Sequence, residues 1–185
     1  VDLHQLIHDE FSGLDVLVCA NLPYYITSPV IMKLLEEKLP VESLTVMVQK
    51  EAAVRICAAP GTRACGAVSV AVQYYSQPQI LFDVPRDCFF PAPNVDSAVI
   101  RLNIRTEPPV KLETEEKQFF KLVKAAFGQR RKTVLNSLST GLGKSKEELS
   151  AALQQAGIAP TARAEQLTME QFGTLCNLLF PNKAQ

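Results

Sequence analysis

The chain has 185 residues, of which 47% are hydrophobic and 21% charged, and its 19 basic side chains balance 19 acidic ones. This much apolar surface can offset the entropy of ordering a chain, so the composition excludes a disordered tail. No apolar run approaches the roughly 18 residues that cross a membrane, and the five scattered cysteines hold no C-x-x-C pair, so we expect a protein of the reducing cytoplasm.

The first part of the chain alternates strand-like and helix-like segments. Leu14–Ala20 is a short Val-rich apolar run, which is typical of a strand buried on both faces. Ser28–Leu39 has apolar residues at helical spacing. The same criteria predict, in chain order, a strand at Leu44–Val48, helices at Lys50–Ala59 and Gly66–Ser76, and strands at Gln79–Val84 and Ser97–Ile104. Interleaved strands and helices predict an α/β fold with a mostly parallel sheet.

The sequence turns helical after Glu107-Pro108-Pro109, where proline breaks the pattern. Capping boxes are indicated at Ser145 with Glu148 and, less perfectly, at Thr168 with Gln171, and loops at Gly141, Gly143 and Gly157. We therefore place an α/β domain at 1–107 and a small all-helical domain at 112–185, in which basic residues outnumber acidic ones. Its helices are predicted at Thr114–Phe127, Lys132–Leu138, Ser145–Ala156 and Thr168–Leu179.

The tetrapeptide Asn21-Leu22-Pro23-Tyr24 directly follows the first predicted strand. In an open α/β sheet, ligands bind beyond the carboxyl ends of strands. An adenine amine is a poor nucleophile, and two acceptors aimed at its N–H bonds would direct its lone pair toward an incoming methyl group. Asn21 and the Leu22 carbonyl can be those acceptors, and Tyr24 can stack on the base. Asn and Pro are equally typical of a simple strand-end turn, and the tetrapeptide alone does not decide between the two.

A second segment, Cys88–Ser97, places two phenylalanines before alternate prolines and then enters a strand. Each proline fixes its own φ angle and restricts the residue before it, which predicts a stiff extended loop. Such a loop can hold Phe89 or Phe90 opposite Tyr24, so that one flat base fits between two rings. A proline-rich connector is the alternative, and we expect one of the two phenylalanines to lie in the core.

Five segments, in this order, resemble the KsgA/Dim-type (RsmA) ribosomal RNA adenine N6,N6-dimethyltransferases, a family related to the Erm methyltransferases. The resemblance implies the C-terminal part of a Rossmann-like sheet of a class I methyltransferase that depends on S-adenosylmethionine (SAM). It also implies that the helical domain binds rRNA. The five segments are NLPYYIT at 21–27, VQKEAAVR at 48–55, PGTRACGAVSVAVQYYS at 60–76, FFPAPNVDSAVIRL at 89–102 and AFGQRRKTVLNSL at 126–138.

The resemblance implies an activity and a role for each site residue. The activity is transfer of methyl groups from SAM to N6 of adjacent adenosines in small-subunit (16S) rRNA, giving N6,N6-dimethyladenosine during ribosome biogenesis. Asn21, Leu22 and Tyr24 match the motif that receives the adenine, and Asn21 also lies beside the methionine part of SAM. Phe89 matches the residue that closes over the base from the other side. The implied partners are small-subunit rRNA and the pre-30S particle, with no metal, no membrane and a monomeric protein.

The glycine-rich strand–loop–helix that holds SAM in this family has no counterpart in the chain. Gly141-Leu142-Gly143 follows a helix instead of a strand, and the pair Gly61 and Gly66 is followed by Ala67 where a phosphate-binding loop has lysine. The sequence starts at Val1, so we expect the SAM-binding part to have been removed upstream. We therefore expect this chain alone to bind SAM poorly and to be inactive, although its parent protein is active.

The densest basic cluster is Arg130-Arg131-Lys132, with Lys124 earlier in the preceding helix. Three such charges are also typical of a solvated helix start. The resemblance favours contact with the phosphates of rRNA.

Three further residue types have ordinary explanations. His4 and His8 have the i, i+4 spacing of a helical zinc site, but without a third ligand we favour two surface histidines on an amphipathic helix. Cys19, at the end of an apolar strand, is expected in the core. Tyr25 is either a supporting residue of the site or a core residue.

Three alternative functions stay open. An Erm-type enzyme acting on large-subunit rRNA would share the motifs, although the QRRKT segment and the long helical tail favour the small-subunit interpretation. A DNA adenine methyltransferase more often has Asp or Asn before Pro-Pro-Tyr, so Leu22 argues against it. The third alternative is a non-catalytic ribosome-assembly factor that binds pre-rRNA.

Overall fold

The computed structural model describes residues 2–181 and divides them into two compact units. The sheet unit comprises the residues up to Cys57 together with Ala71–Glu107, and the helical unit comprises Ala58–Val70 and the chain from Pro108 onward. The break at 107 lies beside the linker expected from the prolines. The segment Ala58–Val70, in contrast, groups with the helical unit, where Gly61 lies opposite the side chain of Thr168.

Each strand and helix predicted from residue 14 onward is present, with its ends shifted by a few residues. An additional helix at the start of the described chain carries His4 and His8, both of which are exposed, as predicted. The strands are β1 (Leu17–Asn21), β2 (Ser43–Gln49), β3 (Ser76–Val84) and β4 (Ser97–Ile104). The helices are α1 (Leu3–Glu10), α2 (Thr27–Glu36), α3 (Lys50–Ile56), α4 (Ala67–Tyr75), α5 (Glu116–Ala126), α6 (Val134–Leu142), α7 (Lys146–Gln155) and α8 (Met169–Leu179).

The four strands of the sheet unit form one sheet in the order β1-β2-β4-β3. β1 is parallel to β2, whereas β4 is antiparallel to both β2 and β3. β1, β2 and β3 therefore run in one direction, as a mostly parallel sheet predicts, but two of the three pairings between described strands are antiparallel, so the sheet is mixed. Only one ladder is parallel, because the chain returns from β3 without an α-helical crossover and inserts β4 in the opposite direction between β2 and β3.

One face of the central strands forms the core of the sheet unit. Alternate residues of β2 and β4 are buried, as the period of two along a strand requires. Helix α3 packs against these strands, and Ile31 and Leu35 of α2 are also buried. The buried strand residues are Leu44, Val46 and Val48 of β2 and Ala98, Ile100 and Leu102 of β4.

β1 is far more accessible than its composition predicts. Its residues alternate between exposed and half-buried, Leu17 is 58% exposed, and Cys19 is exposed. The predictions of a strand buried on both faces and of a core Cys19 are both wrong. The reason is position, because within residues 2–181 β1 pairs only with β2 and forms an edge of the sheet.

The helical unit is built around a closed apolar core from α5 to α8. A Cβ atom on Gly141 would lie 2.7 Å from the Cβ of Ala125, so glycine allows α6 to pack closely on α5. Gly141 therefore lies inside α6, not in the predicted loop, and the helix ends at Gly143, whose φ is 65°. The largest fully buried side chains of this unit include Phe119, Leu122, Leu138, Leu149, Leu153, Leu167 and Phe172.

The structure reverses the predicted order of the two capping boxes, because the one at Thr168 is the more complete. Thr168 and Gln171 form the complete reciprocal pair at the start of α8. At α7, Ser145 accepts from the Glu148 backbone N–H, but the Glu148 carboxylate binds Lys144 at 2.5 Å instead of returning to the cap. A competing lysine one residue before the cap thus weakens the box that looked better in the sequence.

Candidate active site

Asn21 is the last residue of β1 and lies at the carboxyl end of the parallel β1–β2 pair, opposite Met47. Its side chain is exposed, and within residues 2–181 its amide forms no hydrogen bond. An amide at the open end of a parallel pair lies where α/β proteins bind ligands. The Asn21 oxygen is therefore available to accept a hydrogen bond from a ligand.

The turn after Asn21 is held by its proline carbonyl. The Pro23 carbonyl accepts from the Ile26 N–H at 3.1 Å and from the Thr27 hydroxyl at 3.3 Å, and Thr27 is almost fully buried. A 3-10 turn at Tyr24–Ile26 leads directly into α2. The preceding Leu22 carbonyl takes no part in these bonds, so the turn is fixed while that oxygen stays available.

Tyr24 is half-buried and joins the turn to the sheet. Its hydroxyl lies 2.7 Å from the Oγ of Ser97, the first residue of β4, which is 0% exposed. The two residues are 73 positions apart in the sequence. The fold therefore places the Asn21–Tyr24 turn next to the end of the proline-rich loop that carries Phe89.

The loop before β4 is closed at its base by Asp96. The Asp96 carboxylate accepts from the Arg86 N–H at 3.0 Å, and the Asp96 carbonyl accepts from the Lys50 N–H, also at 3.0 Å. The Phe89 N–H donates to the Arg86 carbonyl at 3.1 Å. These hydrogen bonds join the two ends of the loop to each other and to the start of α3. The backbone at Phe89 is therefore held in a defined place. The Phe90–Pro91 peptide bond within the loop is cis.

Neither phenylalanine of the loop belongs to the core. Phe89 is half-buried and Phe90 is 104% exposed, so the expectation that one of them is a core residue is wrong. Within residues 2–181 the rings of Tyr24 and Phe89 form no aromatic pair with each other. The two rings must not pack on each other if a base is to fit between them. Tyr25 is 85% exposed and is therefore not a core residue either.

A cavity of about 440 Å³ adjoins the base of the same loop. Lys50 at its edge forms a 2.5 Å ion pair with Asp83, and the hydrogen bond and charge of that carboxylate raise the pKa of Lys50. The cations of this cavity are therefore already matched by carboxylates, which makes it a poor phosphate site. The lining residues are Gln49, Lys50, Glu51, Arg86, Asn94, Val95 and Asp96.

The basic cluster Arg130–Lys132 lies in the loop between α5 and α6. The predicted helix start at Lys132 is wrong, because Thr133 caps α6 and the first helical residue is Val134. All three basic side chains are exposed, as is Lys124 on the outer face of α5, and within the described chain none of the four is paired with a carboxylate. Unpaired cations on one loop and the adjoining helix face suit a polyanion.

Residues 2–181 lack the features of a metal centre and of a helical membrane anchor. No group of three or more His, Cys, Asp or Glu side chains among them is arranged to hold a metal ion. None of their helices has both the length and the apolar character that a bilayer crossing requires.

Comparison with known proteins gives strong matches. The sequence family described as "Ribosomal RNA adenine dimethylase" matches residues 5–180. A protein of Alkaliphilus metalliredigens named "Ribosomal RNA small subunit methyltransferase A" is 54% identical over 176 residues, covering 95% of this chain and 61% of its own length. A protein of Geobacillus thermodenitrificans with the same name is 52% identical, covering 97% of this chain and 62% of its own. The chain thus spans about three fifths of the length of these relatives.

Solved structures agree with the sequence matches. A dimethyladenosine transferase from Plasmodium falciparum has a TM-score of 0.68 at 25% identity, covering 91% of this chain and 68% of its own. The 23S rRNA methyltransferase ErmE has a TM-score of 0.62 at 23% identity, covering 96% of this chain and 78% of its own, which shows a shared fold only. The predicted α/β methyltransferase fold with a helical part is confirmed.

Proposed function

The chain belongs to the ribosomal RNA adenine dimethylase family, and on that premise we propose that the protein dimethylates N6 of adjacent adenosines in small-subunit rRNA. The names of the relatives, all small-subunit methyltransferases with 50% identity or more, support that substrate. The observation that carries the proposal is the Asn21 side-chain amide at the carboxyl end of β1, which forms no hydrogen bond within residues 2–181 and is followed by a Tyr24 ring whose hydroxyl is held by Ser97.

In this proposal the chain prepares the amine and holds the base. Asn21 Oδ1 and the Leu22 carbonyl accept from the two N–H bonds of the adenine amine, which turns its lone pair toward the methyl donor. Tyr24 and Phe89 stack on the two faces of the base, and one such contact is worth roughly 1–3 kcal/mol. Extruding a base costs least where it is unpaired, which favours a loop or single-stranded RNA target.

The described residues fit only one end of SAM. When bound, SAM supplies an electrophilic methyl group on a sulfonium. Asn21 would contact its methionine part, but in residues 2–181 no glycine-rich turn follows any of the four strands, and such a turn is what holds the nucleoside end of a cofactor in this kind of fold. We therefore propose that this chain alone binds SAM weakly and does not turn over.

The helical unit is proposed to grip the RNA backbone. Arg130, Arg131 and Lys132, with Lys124 nearby, are exposed cations without carboxylate partners in the described chain. They would neutralise phosphates and set the register of the RNA without reading its bases. We also propose that the protein acts as a monomer on the pre-30S particle in the cytoplasm.

Two alternatives rank lower. An Erm-type activity on large-subunit rRNA is supported by a likeness of fold alone, at 23% identity. A non-catalytic role as an rRNA-binding assembly factor is favoured by one observation, the combination of an unpaired basic loop with an incomplete SAM site in the described residues.

The test of the catalytic proposal is Asn21→Ala in the full-length protein, with unmethylated small-subunit particles as substrate. We expect methyl transfer to fall on the order of 100-fold, as for loss of one transition-state hydrogen bond, while RNA affinity is retained. Asn103→Ala, which removes another strand asparagine of β4, is the matched control and should leave the rate unchanged. Retained activity in Asn21→Ala would contradict the assigned role.

A separate measurement addresses the cofactor. Isothermal titration of this chain with SAM should give no binding in the micromolar range. A micromolar dissociation constant would show that the described residues hold SAM without a glycine-rich turn.

A further inference from the structure

The side chain of Ser97 has no catalytic chemistry of its own in the proposed function, yet it is one of the few fully buried polar groups of the sheet unit. Its hydroxyl lies 2.7 Å from the Tyr24 hydroxyl and has no other side-chain partner in residues 2–181. A buried hydroxyl without a partner is costly, and a half-buried tyrosine normally finds one for its phenol. The two groups therefore satisfy each other across two distant segments.

This bond fixes the far end of the Tyr24 ring. The backbone end of Tyr24 is already fixed by the turn, in which the Pro23 carbonyl accepts hydrogen bonds from Ile26 and Thr27. A phenol held at its oxygen cannot swing about χ1, so the ring is kept in one position before a ligand arrives. Rigid placement of a stacking ring lowers the entropy lost on binding.

Asp96, the residue before Ser97, anchors the Phe89 loop, which forms the other side of the proposed site. Asp96 closes the Phe89 loop through the Arg86 N–H and fixes the start of α3 through the Lys50 N–H. Adjacent residues at the start of β4 thus anchor both the turn carrying Tyr24 and the loop carrying Phe89. The spacing of two stacking rings depends on such a common anchor.

We propose that Ser97 is a positioning residue: its buried hydroxyl holds the Tyr24 ring in the place where it receives an extruded adenine, and it keeps that ring at a fixed position relative to the base of the Phe89 loop. This inference rests on the proposed function, since it presumes that Tyr24 stacks on a base. It adds a residue that acts only through Tyr24 and never touches RNA.

The test separates base stacking from RNA affinity in this chain. The probe is a single-stranded RNA in which 2-aminopurine replaces one adenine. The fluorescence of 2-aminopurine falls when it stacks on an aromatic ring. A second label, distant from that base, reports RNA affinity through its fluorescence anisotropy. Ser97→Ala and Tyr24→Phe remove the same hydrogen bond from opposite ends. Each should lower the stacked fraction about fivefold, the usual effect of one hydrogen bond. The double variant should be no worse than either single one, and affinity should stay within about twofold because phosphate contacts dominate it.

The matched control is Ser76→Ala. Ser76 is also a fully buried serine of the sheet unit, and its hydroxyl donates to the Val72 carbonyl at 2.8 Å, away from Tyr24. It should lose comparable stability and keep normal quenching. Equal loss of quenching in Ser76→Ala and Ser97→Ala would overturn the inference, since the effect would then be general destabilisation. Additive losses in the double variant would overturn it as well.

The variant Tyr24→Ala separates the positioning role of Ser97 from base stacking by Tyr24. If Tyr24→Ala abolishes quenching while Ser97→Ala and Tyr24→Phe quench like the wild type, the positioning role is overturned and base stacking by Tyr24 stands. If the wild type does not quench, or Tyr24→Ala quenches equally well, base stacking itself is wrong and the role of Ser97 falls with it. Tyr24→Phe keeps the test decisive even if Ser97→Ala does not fold, because it leaves the buried strand residue intact.

Discussion

The sheet unit and the helical unit bury their apolar residues to very different extents. Of the large hydrophobic side chains exposed in the described chain, Leu178 alone belongs to the helical unit. The others are in the sheet unit, among them Leu17 in β1, Phe82 in β3, and Tyr25 and Phe90, the sequence neighbours of Tyr24 and Phe89.

In the proposed function this difference corresponds to two kinds of recognition in one chain. The helical unit has a closed core and, within residues 2–181, carries exposed cations without carboxylate partners, so we expect its contribution to be charge. The sheet unit carries an amide without a partner in those residues and aromatic rings at strand ends, so we expect its contribution to be shape and hydrogen bonding. Charge acts on any phosphate backbone, whereas stacking and amide contacts act on a base.

The largest expected effect tests the closed core directly. Phe172→Ala in α8 removes a fully buried ring and should lower the free energy of unfolding by about 3–5 kcal/mol. The matched change Phe82→Ala removes a ring that is 58% exposed on edge strand β3 and should cost about 0.5 kcal/mol or less. Urea unfolding followed by circular dichroism measures both. Similar losses in the two variants would contradict the contrast between the units.

The cysteines provide a second test without mutation. Burial raises the pKa of Cys65 and Cys176 in the helical unit to about 11, whereas Cys19 and Cys88 of the sheet unit are exposed. A two-unit rise lowers the thiolate fraction about 100-fold at pH 8, so the exposed pair should react with a thiol reagent well before the buried pair.

The same thiols predict a pH dependence of stability. Since folding raises their pKa from 9.0 to about 11, the folded state retains protons that the unfolded state has released in this range. Stability should therefore fall as the pH rises from about 9 to about 11 and be unaffected by these groups below about 8. Thermal unfolding across this range checks the direction, and a rising melting temperature would contradict it.

The smallest expected effect concerns the basic loop. Replacing Arg130, Arg131 and Lys132 by glutamine should weaken RNA binding about tenfold at low salt and reduce the slope of log K against log salt by about 0.7 for each phosphate that is no longer neutralised. The control replaces the exposed Lys33, Lys111 and Lys146 by glutamine, which removes the same net charge from scattered positions. An unchanged slope in the first variant, or an equal change in the control, would contradict phosphate binding by the Arg130–Lys132 loop in particular.

Much of the fold was predictable because it follows from local pattern. Apolar spacing located the strands and α-helices described from residue 14 onward, and the motif beginning at Asn21 was correctly placed at a strand end. Three predictions failed for reasons outside any local window. Cys19 is exposed because β1 is an edge strand, Gly141 is helical because Ala125 approaches it, and neither loop phenylalanine is buried. The roles of the site residues themselves stay predictions.

Periodicity, turn residues and ordered motifs were sufficient to establish the α/β character, the helical second part and the family, since each depends on neighbours a few positions apart. The pairing of Tyr24 with Ser97 across 73 positions, and the closure of the Phe89 loop by Asp96, depended on strand order in the sheet. The physical reason is that the two hydroxyls meet through the register of β1 on β2 and of β2 on β4, and those registers are a property of the packed chain, not of either segment.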